Sequence, residues 1–305
     1  MRHLFTLFLH RPVPPPALQL QTVGPAARAW RACGRAPGVW HLVLAALLLA
    51  VAPAWAQREG VDVGGNSAFA RLVPADTLER SAAQQYTEML RSAAAQKALA
   101  GPDNAQLRRL RSIAQRIIPH AIAWNPRARD WKWEVNLIGA RQVNAFCMPG
   151  GKIVFYTGIL NQLALTDDEV AMVMGHEMAH ALREHARERM GKNAATGIGA
   201  NLLGQVLGLG QIGQTLTHYG AQLLTLEFSR SDETEADLVG MELAARAGFN
   251  PRAGVSLWTK MTATQKNAPP QWLSTHPSGS RRIAEIESNL PRVLPLYERA
   301  IHSKR

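Results

Sequence analysis

Apolar residues recur at helical spacing in two early stretches, about 81–100 and 103–119, and each predicts an amphipathic helix. An Asp103-Asn104 cap opens the second and Pro119 ends it. The period then changes. Residues 131–138 (WKWEVNLI) alternate polar with apolar and predict a strand; 152–158 (KIVFYTG) predict its neighbour after a Pro149-Gly150-Gly151 turn. Helical spacing returns at Val170, Val173, Met174 and Ala181, behind a Thr166 N-cap and the first-turn acids Asp167, Asp168 and Glu169, so a buried helix starts near Asp167. A further helix is expected over SRSDETEAD, and Gly248-Phe249-Asn250-Pro251 reads as a helix stop followed by a start.

Two segments depart from this pattern. Residues 1–56 hold five arginines and no acid, and end in the apolar run 39–52 followed by Pro53-Ala54-Trp55-Ala56. A basic stretch, a short apolar stretch and an Ala-x-Ala site make a cleavable export signal, cut after Ala56. The apolar run is short for a membrane span, which needs roughly 20 residues. The expected location is the periplasm, with membrane association as the alternative. From Asn193 to Leu226 there is no charged residue, yet glutamines and seven glycines between Gly197 and Gly220 interrupt the segment. It is expected to be a helical hairpin packed on the domain, able to act as a flap, with peripheral membrane contact as the rival.

Composition changes the picture little. Removing the signal takes Lys+Arg from 34 to 29 against 23 acids, a net +6. No basic run is interleaved with aromatics, so no nucleic-acid partner is expected. Cys147 is the only cysteine past Ala56, so no intramolecular disulfide can form, and a lone thiol is best buried.

Candidate chemistry sits on the helix that starts near Asp167, in His176-Glu177-Met178-Ala179-His180. This is an HExxH pattern. At 3.6 residues per turn both imidazoles project from one face and can reach a single metal at about 2.0–2.1 Å. A zinc ion with three protein ligands lowers the pKa of bound water to roughly 7, and Glu177 stands where it can take the proton, which implies metal-assisted hydrolysis. Two buried histidines and a glutamate would be costly without a metal. Arg183 and Ala186 exclude the metzincin continuation, and Cys147 lacks the Glu-Gly-Cys setting of a deformylase-like site. His185 falls about 140° round the helix from His180 and is read as surface. Downstream, Glu233 would complete a His2Glu site, with Glu235 as the alternative ligand. Asp237, at i+4 from Glu233, could accept a hydrogen bond from the non-ligating nitrogen of one histidine, His176 for preference.

Four ordered blocks, NAFCMPGGKIVFYTGIL from Asn144, GHEMAHALREH, FSRSDETEAD and STHPSGSRRI, together resemble the HtpX/Oma1/LoiP-type zinc metalloendopeptidases, a gluzincin family (peptidase family M48). The resemblance covers nearly all of the chain past the signal. It implies an α+β, mostly helical, zincin-like (gluzincin) domain with a small sheet whose edge strand precedes the HExxH helix. His176, His180 and Glu233 are then the ligands of one Zn2+ per chain, and Glu177 is the general base. Because an extended substrate can pair with the free edge of that strand, Ile153, Val154, Phe155 and Tyr156 are the substrate-binding candidates, with Asn144. His276 would face the zinc, either donating to the oxyanion or taking the fourth metal position at rest. Arg282 would support it, with Arg281 as the alternative, and Asp237 completes the catalytic set.

The expected domains are 1–56 (extension and signal peptide), 57–80 (a loosely ordered lead-in), 81–290 (the zinc metallopeptidase domain) and 291–305 (a C-terminal tail). The expected function is that of an exported zinc metalloendopeptidase in protein quality control, acting on unfolded or misassembled envelope proteins. The rival is a chaperone-like or scaffolding protein with a latent zinc site. Protein or peptide substrates are the expected partners, and the sequence is silent on oligomeric state.

Overall fold

Where the chain stops being helical is set by a few residues. In a computed structural model that describes residues 59–195, 227–263, 271–276 and 280–303, helix α1 (Ala75–Ala95) starts behind Pro74, ahead of the expected 81. Lys97, at φ 57°, turns the chain away before 100. The side chain of Asn104 accepts from the Leu107 N–H and starts α2 (Ala105–Ile117). Three strands follow, β1 (Glu134–Ile138), β2 (Ala145–Met148) and β3 (Lys152–Tyr156), and then α3 (Thr157–Gln162), α4 (Asp167–Leu182) and α5 (His185–Ala195). Beyond residue 226 come α6 (Arg230–Arg246), α7 (Ala253–Ala263), α8 (Gln271–Thr275) and α9 (Ser280–His302). The domain is thus mostly helical with one small sheet. The expected signal peptide lies outside the described residues, as does all but the start of the uncharged segment 193–226. Among the described residues no helix is long and apolar enough to cross a membrane.

The sheet corrects one expectation. Its order is β1-β3-β2, with β3 parallel to β1 and antiparallel to β2. Ile153, Val154, Phe155 and Tyr156 therefore occupy the central strand, paired on both sides, and have no free edge to offer a substrate. The edge strands are β1 and β2, and β2 is the one formed when the Gly150-Gly151 turn folds Ala145–Met148 back on β3; both glycines have positive φ. Alternation along β3 sends Ile153 and Phe155 into the main core and Val154 into a smaller cluster with Tyr86 of α1. Both faces are covered, so the strand reads as a continuous apolar run.

Residues outside the expected 81–290 belong to the same core. Val61, Ala70 and Val73 are buried, and the Val61 N–H donates to the buried Glu242 carboxylate at 2.8 Å. The segment expected as a loose lead-in is packed. At the other end α9 continues through the expected tail and buries Val293 and Leu296.

Helices α4 and α6 cross backbone to backbone. A Cβ at Gly175 would lie 2.5 Å from the Gly240 carbonyl oxygen, and one at Gly240 would lie 2.5 Å from the His176 nitrogen. Any side chain at either position must push the helices apart. We expect Gly240→Ala to cost about 1–3 kcal/mol, measured by chemical denaturation.

The start of α4 is held from two sides. Thr166 and Glu169 form a reciprocal capping box, and Glu169 also accepts from Ser256 and Lys260 of α7, each at 2.7 Å. Burial alone would raise the Glu169 carboxyl, but Lys260, the Thr166 N–H and Ser256 outweigh it and hold the pKa below its ordinary value. A carboxyl depressed in the folded state stabilises the fold above its unfolded pKa of about 4.3 and loses that contribution as pH falls through the folded value. Glu169→Ala should therefore cost about 1–3 kcal/mol at neutral pH, with the gap to the unsubstituted chain closing in acid denaturation curves.

Candidate metal centre

Helix α4 carries His176, Glu177 and His180 inward, and all three are almost wholly buried. Facing them, α6 is started by a second capping box, between Ser229 and Asp232, which sets its first turn so that Glu233 and Asp237 lie one above the other toward α4. Short helix α8 ends beside His276, and the first turn of α9 supplies Arg282.

One donor atom each from His176, His180, Glu233 and His276 lies within 4.8 Å of the others. The two Nε2 atoms of His176 and His180 are 3.1 Å apart, and the Glu233 oxygens stand 3.7 Å from His176 Nε2 and 3.5 Å from His180 Nε2. Two ligands of a tetrahedral cation, each at about 2.0–2.1 Å, would be about 3.3 Å apart. The spacing fits. Glu233 Oε1 and His276 Nε2 are buried and make no hydrogen bond, which is costly for polar atoms unless something else binds them.

The electrostatics point the same way. Burial lowers His176 to about 4 and takes His180 and His276 well below the ordinary imidazole value, so each offers a lone pair at neutral pH. Burial raises Glu233 to about 9, against the opposing charge of Arg282. Burial likewise raises Glu177 to about 8, opposed by the Trp272 hydrogen bond. Neutral imidazoles around carboxyls that resist ionisation form a donor set whose burden a divalent cation relieves.

Each donor has an outer partner. Asp237 Oδ1 is 3.0 Å from His176 Nδ1. Burial would raise the Asp237 carboxyl, but Arg282 and His176 hold it at about 2, ionised. The Arg282 guanidinium donates to both Asp237 oxygens at 2.6 and 2.7 Å and to Glu233 at 2.6 Å, and its Cζ sits over the Trp258 ring, 3.6 Å from the centroid. Arg282 is thus seated beneath the carboxylates. Arg281 is exposed and paired with Glu285. Glu235, the alternative ligand, bonds Arg183 away from the donor cluster.

Two residues escaped the sequence reading. His185, read as surface, is 1% exposed, and its Nδ1 sits 2.9 Å from His180 Nδ1. An offset of about 140° holds only along one continuous helix, but α4 ends at Leu182 and Glu184 adopts φ 60°, which turns α5 back behind the site. Trp272 was the other. Its indole N–H donates to Glu177 Oε1 at 2.5 Å, and its ring stacks on His276 with centroids 4.8 Å apart. Its place one helical turn before His276 was the available signal. His276 Nδ1 lies 3.0 Å from the Trp272 carbonyl oxygen, which can only accept. Thr275 Oγ1, 2.9 Å from the same nitrogen, donates its own hydrogen to that carbonyl at 3.1 Å and so can accept from Nδ1. A hydrogen on Nδ1 satisfies both neighbours, and Nε2 then points a lone pair at the cluster.

A cavity of about 60 Å³ opens on Glu177, His180 and His276, and residues 144–149 of β2 and its flanks form one wall. Asn144 lies on that wall; the other substrate candidates belong to the buried central strand. Cys147 also lines it, with burial pushing its thiol up.

Residues 104–290 match the model of Peptidase family M48. The chain belongs to peptidase family M48. Among M48 relatives, 150 residues are 41% identical to the mitochondrial metalloendopeptidase OMA1 of Arabidopsis thaliana, covering 49% of this chain and 30% of that one. The metalloprotease LoiP of Escherichia coli is 29% identical over 199 residues, 64% of this chain and 75% of that protein. The β-barrel assembly-enhancing protease of Escherichia coli O157:H7 is 28% identical over 199 residues, 61% and 39% of the two chains. This chain thus spans under a third of the Arabidopsis protein and 48% of the Schizosaccharomyces pombe OMA1.

Proposed function

We propose that this M48 chain is an exported, zinc-dependent metalloendopeptidase of the gluzincin type, with His176, His180 and Glu233 as metal ligands and Glu177 as general base. The convergence of two neutral buried imidazoles and the unsatisfied Glu233 oxygen carries the reading. A nitrogen and oxygen donor set of this kind suits zinc. When bound, zinc would polarise the scissile carbonyl and ease deprotonation of water. Glu177 takes the proton of the attacking water and passes it to the leaving amine. Asp237 holds His176 in the tautomer that leaves Nε2 free to ligate, and Arg282 holds Asp237 ionised. The unpaired edge of β2 beside the cavity offers backbone groups to an extended substrate.

The Nδ1 hydrogen on His276 favours one of its two roles. A neutral imidazole presenting a lone pair is a fourth metal donor, not a hydrogen-bond donor to an oxyanion, and it must give way before a substrate carbonyl reaches the metal, which slows cleavage without abolishing it. We infer a latent resting state. Export to the periplasm is supported by the basic, apolar and Ala-x-Ala pattern that ends at Ala56. Unfolded or misassembled envelope proteins as substrates are supported by the name of the β-barrel assembly-enhancing relative.

Metal analysis and casein cleavage on the full chain, with and without a chelator, test the proposal. We expect zinc to be bound, cleavage to be abolished by the chelator, and His276→Ala to cleave faster than the unsubstituted chain with zinc retained. Zinc without cleavage, in both the chain and His276→Ala, would favour a scaffold with a structural metal.

A further inference from the structure

We propose that His185 is the positioning residue of His180, accepting the hydrogen bond that decides which nitrogen His180 turns to the metal. The inference rests on the zinc reading above. His180 Nδ1 and His185 Nδ1 are 2.9 Å apart, so one of them carries the hydrogen. His180 Nε2 is the atom that faces His176 Nε2 at 3.1 Å and Glu233 Oε1 at 3.5 Å. To ligate, that nitrogen must keep its lone pair. The hydrogen therefore belongs to His180 Nδ1, and His185 Nδ1 accepts it. In the opposite arrangement His180 Nε2 would carry its hydrogen into the donor cluster.

The same reasoning places the one ring hydrogen of His185 on Nε2, which lies 3.7 Å from Glu235 Oε2, too far for a hydrogen bond. That carboxylate is itself held by Arg183, on the C-cap of α4. Phe228 stacks on the His180 ring with centroids 3.9 Å apart, while the His185 ring meets it edge-on. His180 is thus fixed by one face contact and one hydrogen bond. The break at Glu184 is what brings His185 into position, since a continued helix would carry it away. The two imidazoles of the motif are held differently, His176 by an ionised carboxylate and His180 by a second imidazole.

The test uses the full chain, stripped of metal and titrated with zinc against a chromophoric chelator. His185→Leu should weaken zinc binding by about 10–100-fold, the range for loss of a partner that orients a ligand. His185→Asn has nearly the shape of Leu but returns an acceptor oxygen where Nδ1 stood, and it should recover most of the affinity. Melting of the metal-free variants is read alongside, and the two should melt together. Zinc binding by His185→Leu at the unsubstituted level, or by His185→Asn as weak as by Leu, would overturn the proposal. If Leu does not fold, Asn decides: retained affinity supports it and lost affinity overturns it. An unsubstituted chain that takes up no zinc fails the zinc reading and this one together, whereas a contrary variant result against a zinc-binding chain fails this one alone.

Discussion

Replacing Glu177 with Gln should leave zinc bound and lower kcat for peptide cleavage by about 10²–10⁴, the range for loss of a positioned general base. Glutamine matches glutamate in shape, and its carbonyl oxygen can still accept the Trp272 N–H that reaches Glu177 Oε1 at 2.5 Å. The neighbouring donors stay where they are, because His176 is held by Asp237 and not by Glu177. What is lost is the ability to take a proton. In the folded chain Glu177 is buried, lies 3.8 Å from His276 Nε2 and lines the cavity that would hold the scissile bond. Single-turnover cleavage of a quenched peptide, with metal content measured on the same sample, reads both quantities. Hydrolysis retained in Glu177→Gln would move the base elsewhere.

Arg282→Ala should destabilise the metal-free chain by about 3–5 kcal/mol, the cost of leaving buried charge without its partner. The guanidinium is the cation that Asp237 and Glu233 share, and each carboxylate is no more than 5% exposed. Without it, Asp237 loses what keeps it ionised, and Glu233 loses the main influence opposing its protonation. Packing over Trp258 is lost as well. Arg282→Lys should restore only part of the stability, since a single ammonium cannot bond both carboxylates in the same fork geometry. Denaturant titration with and without zinc separates the contributions: the loss should shrink when zinc is present, because the cation then compensates Glu233. Equal stability of Arg282→Ala and the unsubstituted chain would contradict this role.

Much of this site is legible in the sequence because helical period is a strong signal. His176 and His180 share a face by arithmetic, and Glu233 and Asp237 repeat that spacing on a second helix. Which two helices meet, and how closely, is not periodic information; Gly175 and Gly240 decide it through contact between distant parts of the chain. The edge strand was missed for a different reason. Ala145–Met148 is only four residues long and lies between a polar segment and a turn, so the longer apolar run 152–156 drew the assignment. His185 was misplaced because one residue, Glu184, leaves the helical region, and nothing in its side chain announces a positive φ. Trp272 reads from composition as an ordinary core residue, and it is fully buried; its bond to Glu177 spans 95 residues of chain and has no local signature.

Zinc titration of the metal-stripped full chain, followed by peptide cleavage, addresses the zinc centre most directly. Activity should rise with added zinc and level off at one equivalent per chain, and Glu233→Ala should stay inactive throughout. Cleavage that does not depend on zinc, or full cleavage by Glu233→Ala at one equivalent, would contradict a centre built from His176, His180 and Glu233.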